Sequence, residues 1–380
     1  VSTLSAILGV ALVLIVLGDA FETIVLPRRV TRQLRLARLF FRYTWRPWLA
    51  LVSSMPSGKR QETYLSFYGP LSLLLLLMVW ATGLIVGFAF LYWANGSAIH
   101  TAGGIPGFSM DLYLSATSFF TLGLGDVIPQ TPPSRALVAV EAGMGFGFLA
   151  LVIGYLPALN QSFSRREVNI SLLDARAGSP PTAAEMLRRH SHDHGLEALQ
   201  ELLRDWEGWS AELLESHLSY PVLAYFRSQH DNQSWLGALT TILDTCALIL
   251  AGIEGACARQ AELTFAIARH AVVDLSLIFR TSPCAPDRDR LPSADLAYLR
   301  STLAVTGLKL SEGKAVEQKL TELRRMYEPY VYSLSTYLHI AIPPWILGSS
   351  RADNWQTSAW GRISGIPAGD RSKTATEEHF

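Results

Sequence analysis

The sequence predicts an all-α membrane protein: three transmembrane helices, with a re-entrant helix and loop between the second and third, then a cytoplasmic helical domain. Three observations carry this prediction. The stretches Leu4–Leu26, Tyr68–Trp93 and Ala136–Leu159 are apolar over the roughly 20 residues a helix needs to cross a bilayer. Basic residues crowd into some connections and are absent from another. From Ala183 onward, apolar side chains recur at helical spacing between charged ones.

Composition agrees. Of 380 residues, 49% are hydrophobic and 17% charged, below the roughly 25% charge usual in soluble domains. The formal net charge is zero, so nothing global points to a nucleic-acid partner. The three cysteines, Cys246, Cys257 and Cys284, form no CxxC pair. That pattern suits reduced thiols in a cytoplasmic compartment.

The first element, residues 1–26, carries no basic residue before its apolar core and no small-residue cleavage site. It reads as a retained membrane helix and not a signal peptide. Asp19 and Glu22 lie in its inner half, where Arg28 and Arg29 offer ion pairs. It lacks an arginine at every third position, so it is no voltage sensor.

The connection 27–63 holds Arg28, Arg29, Arg32, Arg35, Arg38, Arg42, Arg46, Lys59 and Arg60 against Glu62 alone. Between the second and third spans, Ala94–Ser134 holds no Lys or Arg, and Arg165 and Arg166 follow the third span. The positive-inside rule puts the first connection and everything after residue 160 in the cytoplasm and the N-terminus outside a plasma (inner) membrane. Arg135, at the outer end of the third span, is the exception. Leu34–Val52 mixes arginines with Phe40, Phe41, Tyr43, Trp45 and Trp48, an amphipathic helix for the inner membrane face. Arg28, Arg29, Arg32, Arg35 and Arg38 are candidates for anionic lipid headgroups. Setting topology is the other task of the same charges.

The next unit spans 64–160. Between its two membrane helices runs DLYLSATSFFTLGLGDVIP, Asp111–Pro129: a helix-length lead into Thr121-Leu122-Gly123-Leu124-Gly125-Asp126. A dehydrated cation needs a cage of oxygens in place of its water, and backbone carbonyls can build one. Alternating glycines allow left-handed dihedrals without steric cost. Irregular backbone at membrane depth is tolerated where protein buries it or it lines a pore. One chain supplies a single strand of such a cage, so four must surround an axis.

TLGLGD resembles the potassium channel signature TVGYGD, and is most similar to the second pore loop of animal two-pore-domain potassium channels. The whole unit resembles the pore module of bacterial two-helix potassium channels. The resemblance implies a homotetramer that passes K+ passively, with K+ ions in the filter and no other cofactor. It implies that Thr121, Leu122, Gly123 and Leu124 offer carbonyls, that the Thr121 hydroxyl forms the innermost site, and that Asp126 accepts hydrogen bonds above the filter. Two positions depart from the pattern. Leu124 replaces the usual tyrosine, and Tyr113-Leu114 stand where two tryptophans are common. A weaker cuff predicts a more deformable filter, with looser selectivity or filter-level gating.

The third span is the expected pore-lining helix. The resemblance aligns Gly145 with the family's hinge, and close packing explains a glycine there equally well. Phe146, Leu149, Ile153 and Pro157 align with the cavity. Pro157 either kinks the helix or ends it. Glu141, an ionisable residue inside a span, either braces the pore helix or shifts ion occupancy with pH.

Residues 161–182 read as a polar linker, 183–348 as a cytoplasmic α-helical regulatory or assembly domain, and 349–380 as a disordered tail. Pro221 interrupts the first helical stretch. Trp235–Phe279 is apolar but carries Asp244, Glu254, Arg259, Glu262, Arg269 and Asp274, which suits buried bundle helices. Helices are expected at Ala294–Gly307 and Ser311–Ile340. In His190-Ser191-His192-Asp193-His194, His190 and His194 would share a helix face, a spacing that chelates zinc given a third ligand; a solvated helix start or pH-sensitive patch is the other reading. No GxGxxG after a strand, GxSxG, HExxH, P-loop or CxxC occurs, so no enzyme is expected. The domain's ligand is not legible. Two other functions stay open: a non-selective channel that also passes Na+, and a non-conducting pore-like sensor or adaptor.

Overall fold

Long apolar runs become the long helices. The computed structural model describes residues 2–26, 36–56, 58–97, 99–101, 107–192, 195–230, 232–253, 257–347 and 353. Arg28, Arg29, Arg32 and Arg35, His194 and nearly all of the 349–380 tail lie outside the described residues. The chain divides into two units, Val1–Ser162 and Phe163–Phe380.

The first unit contains α1 (Ser2–Ala20, extended by a π-helical turn Phe21–Val25), α2 (Leu36–Ser53), α3 (Lys59–Ala94), α4 (Phe108–Phe119) and the first part of α5 (Pro132–Ala177). Two short strands, β1 (Ile99–Thr101) and β2 (Val127–Pro129), pair antiparallel with His100 opposite Ile128. This short ribbon sits in a mostly helical protein, consistent with the all-α class. It joins the chain before α4 to the chain after the loop, and β-branched Val127 and Ile128 suit it.

Helix α1 lies against α3 because small residues let the backbones meet. A Cβ on Gly9 would stand 2.7 Å from the Gly87 carbonyl oxygen, and one on Gly87 would stand 2.7 Å from Val13. The opposite face of α1 exposes Leu4, Ile7, Leu14 and Ile15, and α3 exposes Leu74, Leu75 and Met78. So wide an apolar surface fits lipid and not water. Asp19 is 6% exposed. Its Oδ2 accepts the Ala37 N–H and the Trp80 indole N–H, each at 2.9 Å. The carboxylate thus meets the free amides and positive dipole end of α2, while the expected partners Arg28 and Arg29 lie outside the described residues. Helix α2 packs on α3 through Trp45 against the Tyr68 ring (4.7 Å between centroids) and leaves Arg42 and Arg46 exposed.

The expected linker 161–182 is a correction. Helix α5 runs on to Ala177 and through Pro157, so Pro157 does not end it. Within the second unit, Ile170, Leu173 and Ala177 form a buried stripe at helical spacing, which the polar residues between them hid. The remaining elements are α6 (Ala183–Arg189), α7 (Gly195–Ser219), a 3-10 turn (Pro221–Tyr225), α8 (Trp235–Gly252), α9 (Ala258–Phe279), α10 (Ser293–Val305), α11 (Lys314–Arg325) and α12 (Glu328–Leu338). Among the described residues, four helices are long and apolar enough to cross a membrane: Ser2–Val25, Lys59–Ala94, Pro132–Ala177 and Trp235–Gly252. The fourth, α8, differs from the others in being 89% buried within the protein; a helix apolar all round makes a domain core. The single helix expected over Ser311–Ile340 breaks at Tyr327, just before Pro329 in the first turn of α12, because proline offers no N–H to continue α11.

Candidate functional site

Helix α4 ends in a motif that aims the following loop. Phe120 caps it, the Leu122 amide returns to the Thr117 carbonyl (2.8 Å), and the Thr121 amide returns to Ser118 (3.0 Å). This pairing needs a left-handed residue next after the cap, usually glycine. Here it is Thr121, at φ +54°. A β-branched residue is strained there by about 1–3 kcal/mol, the kind of strain that collects at functional sites. Gly123 (φ +57°) and Gly125 (φ +78°) follow, with Leu122 and Leu124 outside the left-handed region. A Cβ on either glycine would meet nothing within 4 Å, so the backbone angle and not crowding calls for glycine. Alternation of this kind lets successive carbonyls face one side.

The loop Thr121–Asp126 is exposed throughout, with Leu122 59% and Leu124 62% accessible. Phe146, Leu149, Ile153 and Pro157 lie exposed along one stripe of α5. The opposite side of α5 packs inward through Leu137, Val138, Met144, Phe148 and Val152. Gly145 is buried, and a Cβ there would overlap the Phe119 carbonyl at the end of α4. Close packing therefore accounts for this glycine.

Behind the loop, polar side chains tie α4 to its neighbours. Glu141 is fully buried. Its Oε2 accepts the Tyr92 hydroxyl at 2.7 Å, and its Oε1 meets the Ser115 hydroxyl oxygen, which also lies 2.7 Å from the Ile85 carbonyl. Ser97 donates to buried Asp111 at 2.5 Å. Tyr113 donates to Asp126 at 2.9 Å, and the Val127 amide donates to Asp126 at 3.1 Å. The sequence had singled out Glu141, Asp126 and Tyr113, but not Tyr92, Ser97 or Ser115. The signal at Tyr92 and Ser115 was a hydroxyl on an otherwise apolar helix, while Ser97 lies in the turn after α3.

The other candidates separate. Arg38 lies half-buried in the first turn of α2. His190 caps α6, which ends at Arg189, with Nδ1 2.7 Å from the Met186 carbonyl. The helix that would have set His190 and His194 on one face is thus interrupted, because α7 starts only at Gly195. Among the described residues no group of three or more His, Cys, Asp or Glu could hold a metal ion.

Long apolar helices, with a short helix and glycine-bearing loop between two of them, make an arrangement suited to a helical membrane protein. Residues 74–161 match the family model described as an ion channel, and the match supports a pore module of the potassium-channel type over that segment. No curated protein and no solved structure matches the chain.

Proposed function

We propose that four copies of this chain surround one axis and pass K+ passively between Thr121–Asp126 strands. The observation that carries this reading is the left-handed backbone at Thr121, Gly123 and Gly125, on a loop that leaves α4 between two membrane-length helices. In a four-fold ring, carbonyls of Thr121, Leu122, Gly123 and Leu124 replace the ion's water, and the Thr121 hydroxyl completes the innermost site. Phe146, Leu149, Ile153 and Pro157 line the cavity below, where apolar walls can close by dewetting. Alpha-helices α1, α3 and α5 cross the plasma membrane with the N-terminus outside, and residues after 162 form a cytoplasmic gating or assembly module. Such a module works by binding a ligand better in one state than the other. Arg38, with Arg28, Arg29, Arg32 and Arg35 of the same basic segment, supplies positive charge for anionic lipid headgroups.

Leu124, which has no hydroxyl to anchor the strand, favours a second reading: a channel that passes Na+ along with K+. Purified protein in liposomes tests both. K+ uptake well above Na+ uptake, with tetramers on cross-linking, supports the first. Equal uptake supports the second. No flux of either ion from intact tetramers leaves a non-conducting sensor or adaptor.

A further inference from the structure

Glu141 is 0% exposed, and its side chain joins three helices: its own α5, α3 through Tyr92, and α4 through Ser115. We infer that Glu141 carries a proton and acts as a neutral hydrogen-bond clamp that positions α4. Its service to the filter rests on the channel reading above; its proton does not.

The hydrogens around Glu141 can be counted. Three oxygen pairs lie at hydrogen-bonding distance: Tyr92 Oη with Glu141 Oε2 (2.7 Å), Ser115 Oγ with the Ile85 carbonyl (2.7 Å), and Ser115 Oγ with Glu141 Oε1. Each pair needs its own hydrogen. The Ile85 carbonyl has none to give, and Tyr92 and Ser115 bring one each. An ionised Glu141 brings none. One Ser115 hydrogen would then have to serve two acceptors, and a shared hydrogen cannot be well aligned with both.

A protonated Glu141 supplies the third hydrogen and fills every contact. Tyr92 donates to Glu141, Glu141 donates to Ser115, and Ser115 donates to Ile85. The chain runs from α3 through α5 to α4 and returns to α3.

Environment agrees with the count. Among the described residues no basic side chain pairs with Glu141, and a buried carboxylate without a cation is very costly. An apolar site that keeps a carboxylic acid neutral also makes it a donor. Four such clamps around an axis add no ring of charge behind the ions. The filter's own carbonyls are then left to set ion occupancy, and α4 is held at the angle from which Thr121 leaves it.

Glu141→Gln is the diagnostic variant, because its amide N–H replaces the acid O–H and its carbonyl keeps the Tyr92 bond. Infrared spectra of the wild type minus Glu141→Gln should contain the carbonyl stretch of a protonated carboxylic acid. In liposomes Glu141→Gln should keep K+ flux within about twofold of wild type, whereas Glu141→Ala, which strands Tyr92 and Ser115, should lose about tenfold. The inference is overturned by absence of that infrared band, or by Glu141→Gln losing flux as fully as Glu141→Ala. Should Glu141→Ala fail to assemble, Ser115→Ala, which removes one link, takes its place in the comparison. A wild type that passes no K+ defeats the channel reading alone, and the infrared band still decides the proton.

Discussion

The Tyr113 hydroxyl donates to the Asp126 carboxylate at 2.9 Å, tying the second turn of α4 to the end of the loop it leads into. The weak cuff expected from Tyr113-Leu114 therefore has one firm link. Tyr113→Phe keeps the ring and removes the donor. Asp126 retains the Val127 amide, so the loop should loosen without collapsing. The K+/Na+ permeability ratio from bi-ionic reversal potentials should fall roughly threefold to tenfold, the worth of one hydrogen bond to a charged group at an exposed site. An unchanged ratio would detach Tyr113 from filter stiffness.

Gly145 and Gly147 make a matched pair on α5. A methyl group at 145 would overlap the Phe119 carbonyl, while one at 147 would meet nothing. Gly145→Ala should lower the stability of the assembled protein by about 1–3 kcal/mol through overpacking and reduce flux. Gly147→Ala should be neutral or stabilising by up to about 1 kcal/mol from helix propensity. Thermal unfolding in detergent separates the two. A Gly145→Ala protein of full stability that merely opens slowly would favour the hinge over packing.

Membrane helices and the loop were legible because their signals are local. About twenty apolar residues announce a span, and Thr121–Asp126 is contiguous. What escaped was non-local. Asp19 gave no sign that it would meet the Ala37 amide and Trp80, because those residues lie far along the chain. Glu141 stood out as an acid in a span, but its partners Tyr92 and Ser115 are ordinary residues until α3 and α4 fold beside it. The continuation of α5 to Ala177 was hidden for another reason. Its buried stripe of Ile170, Leu173 and Ala177 is narrow, and polar residues on the other faces dominated the composition. Residues 190–194 erred in the opposite direction, since a spacing of four means one face only if the helix continues.

In the second unit, Arg290 is the hub of a buried ionic cluster. It pairs with Asp244 (2.7 Å) and Glu328 (3.0 Å), donates to the Pro343 carbonyl (2.8 Å) and lies over the Trp345 ring. Asp244 is 1% exposed and also accepts the Tyr327 hydroxyl at 2.5 Å. Arg290→Met fills the space but leaves Asp244 without its cation. Removing one partner of a buried pair costs about 3–5 kcal/mol, so the unfolding midpoint of this unit should drop by several degrees or more. A midpoint equal to wild type would mean that Tyr327 alone satisfies Asp244.

His217 gives the second unit a pH dependence of definite sign. It is fully buried in α7. Its Nδ1–H donates to the Leu213 carbonyl at 2.8 Å, which leaves the Nε2 lone pair 3.4 Å from the Arg166 guanidinium. Burial, and then the neighbouring Arg166 charge, push its pKa down from 6.5 to about 3. As pH falls below 6.5, the unfolded chain takes up a proton that the folded unit refuses. Stability should therefore decline by about 1.4 kcal/mol per pH unit between those two values. His217→Gln keeps an amide donor for Leu213 and cannot titrate. Chemical denaturation of the full chain in detergent should find it less stable at pH 7 but with a flatter slope from pH 6.5 to 4.5. Glu185, whose pKa is lowered from 4.5 chiefly by its hydrogen bond to Arg188, loses its contribution only as pH falls below about 4.5, so the range from pH 6.5 to 4.5 reads His217 without it. A slope equally steep in His217→Gln would remove His217 as its source.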